Sequence, residues 1–143
     1  MAELSRFGVS IDETLLVSFD ALISSQGYGN RSEALRDLIR EAIIKSKTAD
    51  PADTADIVGS LTLVYDHHAH GLLEEMTQIQ HRFHSHILSV MHLHVSHDDC
   101  LEIIALRGKT SEVTDLANSL LSLKGIKNGK LFRTLPSSTI THK

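Results

Sequence analysis

The chain has 143 residues, of which 41% are hydrophobic and 22% charged, the balance of a globular protein rather than a disordered one. Its formal net charge of −4 gives no general basic footprint, so any nucleic-acid contact has to come from a local surface or a defined geometry. No apolar run approaches the ~20 residues that span a bilayer, the N-terminus lacks the pattern of a secretory signal, and the single cysteine cannot form an internal disulfide, which fits a reducing cytoplasm.

This length suits one domain or two small ones, and a unit of ~60 residues buries a marginal core that often needs oligomerisation. Phe7, Val9 and Ile11 alternate with Arg6, Gly8 and Ser10, which predicts a short strand over 6–11. Asp12 is placed to N-cap a helix carrying Leu15, Leu16, Phe19, Leu22 and Ile23 at helical spacing. Gly27-Tyr28-Gly29 breaks that pattern. Asn30 then caps a second helix, with Glu33 in the capping-box position and Leu35, Leu38, Ile39, Ala42 and Ile43 on its apolar face. One strand and two helices bury little, and a lone strand leaves its backbone groups unpaired. The same strand from a second copy would complete an antiparallel ribbon of a size that fits the DNA major groove. Arg6, Gly8 and Ser10 would then face the bases, while Asn30, Arg31 and Ser32 would set a helix N-terminus against phosphate. Acidic and basic residues nearly balance over 1–47, so an acidic dimerisation module is the competing reading of this stretch.

Residues 48–56 contain Pro51 and small or acidic side chains, and they read as a linker. A second domain over 57–136 opens with an apolar strand at Ile57–Tyr65 and a turn holding His67, His68 and His70. A helix through Leu72, Leu73, Met76 and Ile79 follows, reaching His81. Strands at Leu88–Ser96 and Leu101–Arg107 flank an Asp98-Asp99 bend. Thr110 or Ser111 caps another helix, Gly125 ends it, and Ile126–Leu135 supplies a last strand with a turn at Asn128-Gly129. The order β-α-β-β-α-β predicts an α+β chain whose C-terminal domain is ferredoxin-like, followed by a short tail over 137–143.

Within this domain, His81 to Cys100 concentrates the chemistry: His81, His84, His86, His92, His94 and His97, closed by the one cysteine. Met91-His92-Leu93-His94-Val95 alternates, so His92 and His94 share a strand face with Cα atoms roughly 6.6 Å apart. Met91, Leu93 and Val95 form the apolar side, which reads as the core side, so the histidines are expected to face solvent or another subunit. Two imidazoles and a thiolate suit zinc, copper or nickel rather than magnesium or calcium. The bland alternative is a half-buried strand decorated with histidines and a small buried cysteine. There is no Cys-x-x-Cys pair of a zinc finger and no His-Glu-x-x-His of a hydrolase. A zinc enzyme would need Glu102 as its base, and a metal store would use the histidines as a reservoir. The N-terminal module argues against both. His67, His68, His70, His84 and His86 read as solvated, with a weaker accessory site as the alternative.

These segments together resemble the nickel-responsive transcriptional regulator family, NikR. The resemblance rests on Gly-Tyr-Gly-Asn-Arg-Ser-Glu-Ala-Leu-Arg-Asp at 27–37, and on His92-x-His94-x-x-His97-Asp98-Asp99-Cys100-Leu101-Glu102 with His81 upstream. It implies a ribbon-helix-helix DNA-binding module over 1–47 and an ACT-like regulatory domain over 57–136. It further implies one square-planar nickel(II) per chain, held by His92, His94 and Cys100 with His81 from a neighbouring chain, and a homotetramer built as a dimer of dimers. Arg6, Gly8 and Ser10 match the family's base-reading positions, although glycine offers no side-chain contact. A secondary cation site maps onto Glu33 and Asp37. Of the regulatory-domain positions that touch phosphate, one is Ala69 here, a departure, while Lys124 keeps its charge. The implied function is a cytoplasmic, non-enzymatic regulator that represses nickel uptake, in which nickel binding promotes operator binding. The notable expectation is linkage: metal and DNA would each raise affinity for the other.

Overall fold

The computed structural model describes residues 3–49 and 55–136. The expected tail over 137–143 and most of the expected linker lie outside the described residues. Residues 3–12 precede the first helix without forming a strand in the single chain, and Phe7, Val9 and Ile11 stand exposed. A strand at 6–11 has no partner there to satisfy its backbone groups.

Helix α1 (Glu13–Ser25) starts as the sequence indicates, with Asp12 Oδ1 accepting from the Leu15 amide at 2.8 Å. It ends where Gly27 takes φ 85° and the Tyr28 amide reaches back to Ile23 O, a left-handed stop that suits glycine. Helix α2 (Arg31–Ala49) begins behind Asn30, whose Oδ1 accepts from the Glu33 amide at 2.9 Å. Ile23 and Ala34 are buried where the two helices meet, and the Tyr28 hydroxyl donates to Asp37 Oδ2 at 2.8 Å. Most of the apolar surface of both helices stays open.

The remainder is a four-stranded antiparallel sheet of β1 (Asp56–Asp66), β2 (Ile87–His94), β3 (Asp99–Lys109) and β4 (Ile126–Thr134), in spatial order β2-β3-β1-β4. Helices α3 (Leu72–Arg82) and α4 (Thr110–Leu121) connect β1 to β2 and β3 to β4, which gives the β-α-β-β-α-β order. A short 3₁₀ turn at His84–His86 precedes β2. Both helices cover one face. Their Leu72, Met76, Val113, Leu116, Ala117 and Leu120 pack onto Ile57, Leu61, Leu63 and Tyr65 of β1 and onto Cys100, Ile104 and Leu106 of β3. On the opposite face Met91, Leu93 and Phe132 stand exposed, and Ile44 of α2 packs against the core.

Two local expectations change. Helix α4 is not capped by Thr110 or Ser111: its N-cap is Lys109, because β3 runs directly into the helix and the fully buried Thr110 hydroxyl turns to Ala55 O. Nor does the chain turn at Asn128-Gly129, since β4 continues through it in register with β1, Gly129 opposite Leu63. Glycine is needed there for a different reason. A Cβ on Gly129 would sit 2.5 Å from Leu121 Cδ2 and 2.9 Å from Leu63 Cδ2.

Candidate metal centre

Strand β2 is an edge, paired only to β3, and its register decides which way its side chains point. His92 pairs with Glu102 and His94 with Cys100, and directly opposed residues share a face. Cys100 and Glu102 point toward the helices, so His92 and His94 do too. The expectation that Met91, Leu93 and Val95 form the core side is therefore reversed: those three lie on the open face, 55%, 44% and 63% exposed. Periodicity fixes which residues travel together, and here helix coverage, which falls on the histidine side, fixes the rest.

The turn joining β2 to β3 is closed by Val95 and Ser96 amides donating to Asp99 O, and by the Asp99 amide donating to Ser96 Oγ. A second loop leaves β1 beside it, because Tyr65 pairs with Cys100 and the His67 amide donates to Asp98 O at 2.7 Å. The two loops bring three donors together. Cys100 Sγ lies 3.4 Å from His94 Nδ1 and 3.4 Å from His67 Nδ1, and all three donor atoms fall within 4.8 Å of one another. Cys100 is a free thiol with no exposed surface. His67 is thus a convergent donor that the sequence reading left among the solvated histidines. The signal that finds it is register, which a sequence does not print.

His92 stands next to this trio, its ring centroid 5.3 Å from that of His94. Its Nδ1 is 3.0 Å from the Tyr65 hydroxyl and 3.8 Å from Glu102 Oε1. Glu102 Oε2 accepts from Gln80 Nε2 of α3 at 2.9 Å, so one carboxylate joins the helix to the histidine strand. Burial raises the Glu102 pKa, opposed by the Gln80 and His92 interactions, and burial also pushes the Tyr65 phenol up, helped by Glu102 and Cys100. Tyr65 therefore remains protonated and can orient the His92 ring as a hydrogen-bond donor. His81 does not join this group within the chain: it sits exposed on α3, stacked on His84 with centroids 5.9 Å apart.

The N-terminal candidates are placed differently. Arg6, Gly8 and Ser10 are exposed in the extended stretch, Asn30 is occupied as a helix cap, and Ser32 is exposed. The Arg31 guanidinium makes two bonds to Asp20, at 2.9 and 2.8 Å, and these hold the Asp20 carboxyl below its ordinary value. Glu33 is exposed, whereas Asp37 is already engaged by Tyr28 and by Arg40 at 2.9 Å.

Two imidazoles and a thiolate, with further imidazoles alongside, match the donor preference of nickel, copper or zinc. A family model described as the NikR C terminal nickel binding domain matches residues 58–134. A protein of Solibacter usitatus is 50% identical over 131 residues, covering 92% of this chain and 93% of its own length. One of Trichlorobacter lovleyi is 45% identical over 142 residues, 99% of each chain. Both carry the provisional name nickel-responsive regulator. Among solved structures, an uncharacterized protein from Thermotoga maritima shares the fold, with a TM-score of 0.50 and 16% identity over 55% of this chain and 96% of that one. No helix among the described residues is long and apolar enough to cross a membrane. With the His/Cys edge site and relatives matching along nearly its whole length, the chain belongs to the nickel-responsive regulator family.

Proposed function

We propose that this chain is a cytoplasmic nickel-responsive transcriptional regulator, with its metal centre in residues 57–136 and its DNA-binding module in residues 1–47. The observation that carries the reading is the placement of His94, on the edge strand β2, directly beside Cys100 of β3, with His92 adjacent. His92, His94 and Cys100 would hold one nickel per chain, with His81 supplied by a neighbouring chain of a homotetramer. An edge strand supports that arrangement, because a second chain can approach it directly. Bound nickel supplies a tie between donors on two chains.

The chain's own residues would carry the coupling. Gln80 precedes His81 on α3 and is bonded to Glu102, which faces His92, so the position of α3 and the orientation of the His92 ring are linked. Ordering α3 at the subunit boundary would favour the arrangement in which two N-terminal modules occupy both operator half-sites. In those modules Arg6, Gly8 and Ser10 would enter the major groove, and Asn30, Arg31 and Ser32 would meet phosphate. Arg31 would have to share or leave Asp20 to do so. A secondary cation at Glu33 and Asp37 would have to displace Arg40. Repression of nickel uptake is the regulatory outcome that fits.

A second reading has one observation behind it: His67, His94 and Cys100 already gather within one chain, the three-ligand set of a zinc site. A hydrolytic version would need Glu102 as a free base, yet that residue is 7% exposed and bonded to Gln80.

The test is a nickel(II) titration followed by visible absorption on the intact protein, on Cys100→Ser, on His92→Ala and on His67→Ala. One equivalent with thiolate-to-nickel bands, abolished by Cys100→Ser and His92→Ala but retained in His67→Ala, is expected. Nickel should then raise operator affinity in the intact chain. Bands that survive His92→Ala and vanish in His67→Ala would replace the proposed ligand set with the one-chain trio.

A further inference from the structure

We propose that the loop tips beside this centre form a second, exposed site for a divalent transition-metal ion, built by His68, His97 and Asp98. One ligand atom from each lies within 4.8 Å of the other two. His68 Nε2 is 3.6 Å and His97 Nδ1 3.1 Å from the same Asp98 Oδ1, and the two rings face each other with centroids 5.4 Å apart and planes inclined by 36°. All three residues are exposed, so no apolar packing accounts for their convergence.

The loops that carry them are fixed independently of those side chains. The His67 amide is bonded to Asp98 O, and the His68 amide donates to Asp66 Oδ1 at 2.9 Å. The β2–β3 turn is closed by its own backbone bonds. The loop backbones are therefore set before an ion arrives, which leaves only the side-chain rotamers to be ordered and lowers the entropic cost of binding. Two imidazoles and one carboxylate suit nickel, zinc or copper, and they do not suit magnesium or calcium, which take oxygen-rich sets. Exposure leaves the remaining positions to water and makes this the weaker of the two sites, filled after the thiolate centre. The sites share no ligand. They lie close, since the His67 and His68 rings are 5.2 Å apart.

The experiment is a calorimetric titration of the full-length protein with nickel(II) chloride, with visible absorption recorded in parallel. The expected result is two equivalents per chain, the second without new thiolate bands. His68→Ala and His97→Ala should each weaken the second step by more than about tenfold, since losing a direct ligand costs at least as much as losing an outer partner. Both should leave the thiolate bands intact, which also shows that the variants are folded. Cys100→Ser should remove the first step and keep the second, which separates this proposal from the regulator reading. A single equivalent in the intact protein, or a second equivalent unchanged in the His68→Ala/His97→Ala double variant, overturns it.

Discussion

In residues 56–135, Ile57, Leu61, Leu63, Ile104, Leu116 and Leu120 have no exposed surface, whereas among residues 3–48 only Ile23, Ala34 and Thr48 are buried. The helical pair instead leaves Leu15, Val17, Leu22, Leu38, Ile39 and Ile43 between 43% and 62% exposed. Both regions carry periodic apolar positions, and it is the N-terminal helices that have the side-chain caps, Asp12 and Asn30. The sheet with its two covering helices closes a core from one chain, and the two N-terminal helices do not. Amphipathicity commits a helix to a partner surface without saying which chain supplies it.

This contrast is sharpest when the regions are separated. Residues 55–143 alone should retain a cooperative melt on dilution, because their core closes within one chain, while residues 1–49 alone should lose helical circular dichroism on dilution. A dilution-resistant, cooperatively folded 1–49 fragment would break the comparison. Within the full chain, Leu63→Ala should cost about 2–5 kcal/mol in chemical denaturation, as a fully buried side chain with little room to collapse. Leu38→Ala should show a cost that grows with protein concentration, because only association can cover that position; an effect independent of concentration would place its partner within the chain. Next in size is Gly129→Ala, expected to cost about 1–3 kcal/mol through overpacking against Leu121 and Leu63. A neutral result would mean that α4 shifts freely over the sheet.

The smallest effect is a pH dependence in the helical pair. Asp20 is held below its ordinary pKa mainly by the hydrogen bond from Arg31, so its contribution is present above the unfolded value and is lost as pH falls through the lower folded one. Asp20→Asn should flatten the acid limb of stability below about pH 4 for the N-terminal helices and leave the sheet domain's limb unchanged. An unaltered acid limb would show that the exposed pair contributes nothing measurable.

Much of this architecture is written locally. Asp12 and Asn30 announce both N-terminal helices, and the strand and helix order of the C-terminal domain follows from its apolar periodicity. What sequence could not supply was lateral information. The alternation of Met91 to Val95 is equally compatible with either face being covered. The Asn128-Gly129 pair carries the same letters as a hairpin turn yet serves a strand under α4. His67 lies 33 positions from Cys100, and only the Tyr65–Cys100 pairing brings them together. Three members of the candidate site, His92, His94 and Cys100, were legible because they lie on one short segment. His67, the additional donor beside Cys100, needed the register.

Cys100 is the chain's single sulfur nucleophile, and it lies without solvent exposure behind His67 and His94. An alkylating reagent can reach it only when strand β2 peels from β3 or the 67–70 loop swings out. Modification of the metal-free protein by iodoacetamide should therefore run at the free-thiol rate multiplied by the fraction of time the site is open. The labelling half-time becomes a gauge of how much of the time the edge of the sheet is undone.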